Sequence, residues 1–180
     1  MDAALLLIDV QRAIDDPSWG VRNNPALETN LARLLAAWRS RGSLVVHVRH
    51  LSTDPQSTYR PGQPGCDFKP EVEPREGEWI VDKRTNSAFI GTELESRLRA
   101  ADVTRLVIAG VITNNSVETT ARMAGNLGFD TTVVSDATAT FGRHDLDGRW
   151  WSADDVHALS LANLSDEYAR IATTDEVLRE

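Results

Sequence analysis

Cysteine is almost absent from this chain. Cys66 stands alone among 180 residues, so no disulfide forms within the chain and a reducing compartment is the expected setting. Long apolar runs are missing too. Nothing approaches the ~20 consecutive residues that a bilayer-spanning helix needs, so no membrane partner is expected. Positive charge is scarce, with 19 Lys and Arg against 27 Asp and Glu and a formal net charge of −8. A nucleic-acid binder usually shows a basic face, and this balance argues against that class. Met1 leads directly into Asp2, without the basic start and cleavage pattern of a secretory signal, so a cytoplasmic location is expected. No internal repeat or low-complexity segment interrupts the chain, whose length suits one domain over residues 1–180.

What is present alternates between two periods. Residues 3–8 form an apolar run of strand length, as expected for a strand buried on both faces. A helix fits 26–41, with Leu27, Leu31, Leu34, Leu35 and Trp38 on one face and Gly42 as its stop. A second strand fits 43–49. Residues 51–77 hold most of the prolines and few apolar residues, a long irregular connection of the kind that is usually functional or mobile. A third strand follows at 79–82. A helix runs from 92 through 100, with Thr92 as N-cap and Glu95 completing a capping-box pattern. Further strands fit 106–109, 131–135 and 168–172, and further helices 115–127, 153–164 and 174–179. A polar loop with paired tryptophans spans 141–151. Strands alternating with helices point to an α/β fold with a doubly wound parallel sheet.

Three polar residues close apolar strands. Asp9 follows residues 3–8, Lys83 follows 79–82, and Ser116 lies in the turn after 105–109. In a parallel α/β sheet, ligands bind in the crevice outside the carboxyl ends of the strands. A carboxylate, an ammonium and a hydroxyl gathered there make a candidate hydrolytic site. Each residue has a plainer reading as well. Asp9 suits a helix N-cap, Lys83 a surface lysine, and Ser116 a group at a helix start.

Three segments carry a family resemblance: Leu-Leu-Ile-Asp-Val-Gln at 6–11, Lys-Arg-Thr-Asn-Ser-Ala-Phe-Ile-Gly-Thr at 83–92, and Gly-Val-Ile-Thr-Asn-Asn-Ser-Val-Glu-Thr-Thr-Ala at 110–121. They resemble the isochorismatase-like hydrolases, also called cysteine hydrolases, over nearly the whole chain and in the same order. The resemblance implies a three-layer α/β/α, Rossmann-like sheet of six strands in the order 3-2-1-4-5-6. It implies Asp9, Lys83 and residue 116 as a catalytic triad, a non-proline cis peptide between Val111 and Ile112, and an oxyanion hole from the N–H groups of Ile112 and Ser116. It also implies a homodimer or larger homo-oligomer, to which Trp38, Trp150 and Trp151 would add apolar surface.

Amidase members of that family carry a cysteine nucleophile where this chain has Ser116. A thiol at a helix start ionises readily, whereas a hydroxyl needs a base in contact during attack. Three readings of Ser116 therefore stay open: a working nucleophile, a replacement that disables a cysteine site, or a group that positions substrate or water. The expected activity is hydrolysis of a small linear amide or carbamoyl C–N bond. Vinyl-ether hydrolysis with Asp9 as the acid, and a non-catalytic binding protein, are the alternatives.

A small-molecule substrate is expected to meet Trp19, His50, Phe89, Asn115 and Trp151. Core or interface packing is the competing role for the aromatic residues, Trp150 included. His47 and His50 are three apart on a strand and so point to opposite faces, a poor chelate. His47 reads as a core histidine with its hydrogen bonds satisfied. No metal and no cofactor are expected, and Cys66 has no adjacent base in sequence.

Overall fold

The computed structural model describes residues 3–180, so the Met1-Asp2 start lies outside the described residues. Strand β1 (Ala4–Ile8) leads through two 3₁₀ turns into helix α1 (Leu27–Arg41). Next come β2 (Val45–His50), β3 (Trp79–Lys83), α2 (Leu94–Ala100) and β4 (Arg105–Val111). A π-helical turn, Thr113–Val117, opens α3 (Glu118–Asn126), and β5 (Asp130–Ala139) follows. A short hairpin of β6 (Arg143–His144) and β7 (Trp150–Trp151) precedes α4 (Ala153–Leu164), β8 (Arg170–Ala172) and α5 (Thr174–Leu178).

The main sheet runs β3-β2-β1-β4-β5-β8 with every pairing parallel. This is the six-stranded order that the resemblance implies. Side-chain alternation divides the core into two layers. Leu5 and Leu7 face α1 and α5, whereas Leu6 and Ile8 face α2, α3 and α4. Leu27, Leu31, Leu34 and Leu35 of α1 are buried. Each such leucine is worth ~1.5–3 kcal/mol over exposure, so burial of this stripe, more than helix propensity, docks α1.

Four local expectations need correction. Helix α2 begins at Leu94, and no side chain caps it at Glu93. Thr92 Oγ1 accepts from Leu94 N–H, but Glu95 turns to Arg99 at 2.8 Å instead of reaching back. The capping boxes belong to Ser152/Asp155 and Thr173/Glu176. Strand β5 extends to Ala139, well past 135, because Asn24 and Asn30 donate side-chain hydrogen bonds to the carbonyls of Ser135, Asp136 and Thr138. Those amides satisfy a polar stretch that alternation alone does not mark as strand. Trp38 is core, not interface: it is 4% exposed and its indole N–H donates to Ala3 O at 2.7 Å. His47 is fully buried, but only its Nε2 finds a partner, Glu78 at 2.8 Å, and its Nδ1 has none among the described residues.

No helix among the described residues is long and apolar enough to cross a membrane. Leu146, Trp150 and Leu159 are exposed near the hairpin and α4.

Candidate active site

Neighbouring strands β3, β2, β1 and β4 end side by side. The register sets His50 opposite Lys83 and Ile8 opposite Gly110. Asp9 follows β1 with φ at 52°, a left-handed conformation that Asp tolerates better than most residues. Gly110 has φ at 120°, and a Cβ there would lie 2.2 Å from Ile8 O. Only glycine lets β4 pass β1 so closely. Beyond it the Val111–Ile112 peptide is cis. Ser116 then sits within the π-helical turn, an irregularity frequent at functional sites.

The Asp9, Lys83 and Ser116 side chains meet. Lys83 Nζ donates to Asp9 Oδ2 at 2.7 Å and to Ser116 Oγ at 3.2 Å. Thr85 O, at 3.1 Å, and His50 Nδ1, at 3.2 Å, also face the ammonium. Lys83 is 1% exposed, Asp9 4% and Ser116 6%. Asp9 Oδ1 is buried with no hydrogen-bond partner among the described residues.

Burial dominates the charge states here. It pushes the Asp9 carboxyl up, against the Lys83 ammonium and, more weakly, the Ser116 hydroxyl. The same burial pushes Lys83 down, against the attraction of Asp9. His50 is lowered to about 4 by burial and then by the Lys83 charge, so its Nδ1 offers a lone pair near neutral pH.

Surrounding residues hold these groups in place. The Gln11 amide accepts from His50 N–H at 2.7 Å and donates to the carbonyls of His50 and Cys66. The Tyr59 hydroxyl donates to Asp9 O at 3.3 Å, and its ring meets His50 edge-on. Behind Ser116, His157 Nε2 faces Ser135 O at 3.0 Å, so that nitrogen carries the proton. His157 Nδ1 then accepts from the Thr113 hydroxyl at 2.9 Å. Thus His157 braces the turn without touching Ser116. Gln11, Tyr59 and His157 escape a sequence reading because their partners lie far off along the chain. Gln11, within the Leu-Leu-Ile-Asp-Val-Gln segment, carries the one signal that marks any of them.

A cavity of about 320 Å³ adjoins the turn, bordered by Trp19, Ile112, Asn115, Thr140, Phe141 and Arg143. Trp19 stacks on Phe141 with ring centroids 5.4 Å apart. Trp19 and Asn115 border this cavity, and His50 contacts Lys83. Two other expected pocket residues lie elsewhere. Phe89 stacks on Phe129 in the core, because residues 87–90 turn back under α3 through the Ala88 N–H bond to Thr120. Trp151 donates to Asp145 within the hairpin and borders a groove along α4. No group of three or more His, Cys, Asp or Glu residues among those described is placed to hold a metal ion. His47 and His50 turn to different neighbours, Glu78 and Lys83.

Comparison with known proteins gives one consistent result. A family model described as the isochorismatase domain matches residues 3–176. The isochorismatase family protein YrdC of Bacillus subtilis is 45% identical over 98% of this chain and 95% of its own length. Ureidoacrylate amidohydrolase RutB of Variovorax paradoxus is 26% identical, covering 99% of this chain and 81% of that protein. A crystal structure of an isochorismatase-family protein from Chromobacterium violaceum superposes with a TM-score of 0.96 at 58% identity, over 99% of this chain and 92% of that one.

Proposed function

The chain belongs to the isochorismatase family of hydrolases, and from that premise we propose that it hydrolyses the C–N bond of a small linear amide or carbamoyl compound. The observation that carries this reading is the buried Lys83 ammonium joined to both Asp9 and Ser116, with Asp9 Oδ1 left free. The amidohydrolase named among the relatives supports the bond type.

In this reading Asp9 Oδ1 takes the Ser116 proton while Oγ bonds to the substrate carbonyl carbon. A carboxylate is ordinarily a weak base for a hydroxyl, and burial strengthens this one by raising its pKa. Lys83 keeps Oδ2 occupied and so aims Oδ1. Negative charge develops on the carbonyl oxygen, which the Ile112 and Ser116 N–H groups stabilise. Collapse breaks the C–N bond, and Asp9 returns the proton to the leaving nitrogen. Water then attacks the Ser116 ester, giving a proton to Asp9, which passes it to Oγ as the acid product leaves.

A second reading rests on the same buried carboxyl. Raised by burial, Asp9 would act in its protonated form as an acid towards a vinyl ether, with Ser116 only placing water. Ser116→Ala and Asp9→Asn separate the two. Amide hydrolysis through Ser116 requires that each substitution lower kcat by ~10³-fold or more, with an acyl adduct on residue 116 in intact-protein mass spectra of the unsubstituted chain. Full activity in Ser116→Ala beside an inactive Asp9→Asn favours the vinyl-ether reading. No turnover by the unsubstituted chain on either substrate panel counts against both.

A further inference from the structure

We infer that His50 is a positioning residue for the reaction, holding the Lys83 ammonium in place and charged through its Nδ1 lone pair. The inference rests on the hydrolase reading above and adds a group that acts through Lys83. The sheet sets the two side by side. His50 ends β2 opposite Lys83 of β3, and parallel neighbours in register carry their side chains on one face. Nδ1 and Nζ stand 3.2 Å apart. An ammonium can only donate, so Nδ1 presents its lone pair and Nε2 carries the proton.

Three contacts hold the residue there. Gln11, itself fully buried, accepts from His50 N–H at 2.7 Å and donates to His50 O at 3.0 Å. The Tyr59 ring packs edge-on against the imidazole, with centroids 5.5 Å apart. The consequence falls on Lys83. An ammonium taken out of water keeps its charge only where acceptors replace the solvent. Ser116 Oγ is not a lasting acceptor in the proposed reaction, because it leaves to bond the carbonyl carbon. Asp9 Oδ2, Thr85 O and His50 Nδ1 then remain, one for each of the three N–H groups.

The charge facing the imidazole is that of Lys83, with Asp9 bonded to the same ammonium. Tyr59 and Cys66, whose carbonyl shares the Gln11 amide, are both pushed up by burial and so stay neutral near pH 7. Arg49 and Asp82 pair with each other on the opposite face of β2 and β3.

The test measures kcat, KM and their pH dependence with p-nitroacetanilide and p-nitrophenyl acetate, in the unsubstituted chain, His50→Leu and His50→Asn. An Asn amide sets Oδ1 where the imidazole sets Nδ1, so it keeps the acceptor. His50→Leu should lower kcat about tenfold or more, the worth of one hydrogen bond to a charged group, with KM within about twofold. Its alkaline limb should move to lower pH, because an ammonium short of an acceptor gives up its proton sooner. His50→Asn should recover most of kcat and return the limb. Should His50→Leu not fold, His50→Gln takes its place, since its amide lies beyond the Nδ1 position. Unchanged kcat, or a loss equal at every pH and equal in His50→Asn, overturns the inference and leaves the hydrolase reading intact.

A second readout needs no turnover. Lys69 and Lys83 are the only lysines in the chain, so carbon-13 labelling of lysine Cε gives two NMR signals. Burial lowers Lys83, whereas Lys69, against its own burial, is raised by Asp15 and Glu28, so the signal that titrates first is Lys83. Its midpoint should fall by about one pH unit in His50→Leu and return in His50→Asn. That pattern supports the positioning role even where neither substrate is hydrolysed and the hydrolase reading falls. A midpoint unmoved by His50→Leu overturns the inference whatever the rates show.

Discussion

One ammonium serves four acceptors. Lys83 offers three N–H bonds to Asp9, Ser116, Thr85 and His50, all within 3.2 Å, so one acceptor is always left short. Asp9 makes the shortest contact, and Ser116 is among the longest. A more acidic nucleophile at 116 would not depend on that sharing. Ser116→Cys should therefore hydrolyse activated small amides or esters about tenfold faster or more, and Asp9→Asn should remove the gain. Initial rates on a chromogenic acyl panel measure this, beside iodoacetamide labelling of residue 116. A thiol that alkylates rapidly yet hydrolyses nothing would count against acyl chemistry. Asp9, Lys83 and Ser116 were legible from the sequence because each follows an apolar strand, and the sheet does the rest. Phe89 was misread because nothing in its own segment announces Phe129, forty positions on.

At the scale of elements, the strand–helix alternation was plain and the ends were not. Strand β5 hides its second half because side chains of Asn24 and Asn30 complete its hydrogen bonding. The Thr92–Glu95 pattern looked like a cap, but Thr92 Oγ1 donates to Ala88 O at 2.6 Å, which holds the residue to the preceding turn while α2 starts two positions later. Ser152, by contrast, caps α4 with a reciprocal Asp155. Ser152→Ala should cost ~1 kcal/mol and lower Tm by a few degrees in a thermal melt. Gly110→Ala should be far worse, on the order of 4 kcal/mol or no soluble protein, since the added Cβ would meet β1 backbone with no room to yield. A melting temperature within two or three degrees of the unsubstituted chain would contradict the close approach of β4 to β1.

At the scale of the whole molecule, two buried histidines and Glu78 draw stability away in acid. His50 lies near 4 against its usual 6.5, and His47 is lowered in the same direction, both chiefly by burial. An unfolded chain takes up these protons below 6.5 while the folded chain refuses them, so the stability these two imidazoles contribute is complete above 6.5 and is lost as pH drops towards 4. Glu78, lowered to about 2 through Arg39, Arg75 and His47 despite its burial, extends the decline from 4.5 downward. Urea midpoints should fall steadily as pH drops below 6.5, with His50→Gln flattening the upper part of the slope. A level profile from pH 7 to 4 would contradict these neutral buried imidazoles. The stacking of Trp19 on Phe141 has a consequence of another kind. Of the five tryptophans, Trp19 alone borders the cavity, its indole N–H already anchored to Ala13 and Thr58. Its emission is a resident optical gauge: ligand filling the cavity should shift or quench fluorescence that a Trp19→Phe chain lacks, so occupancy can be read without labels or turnover.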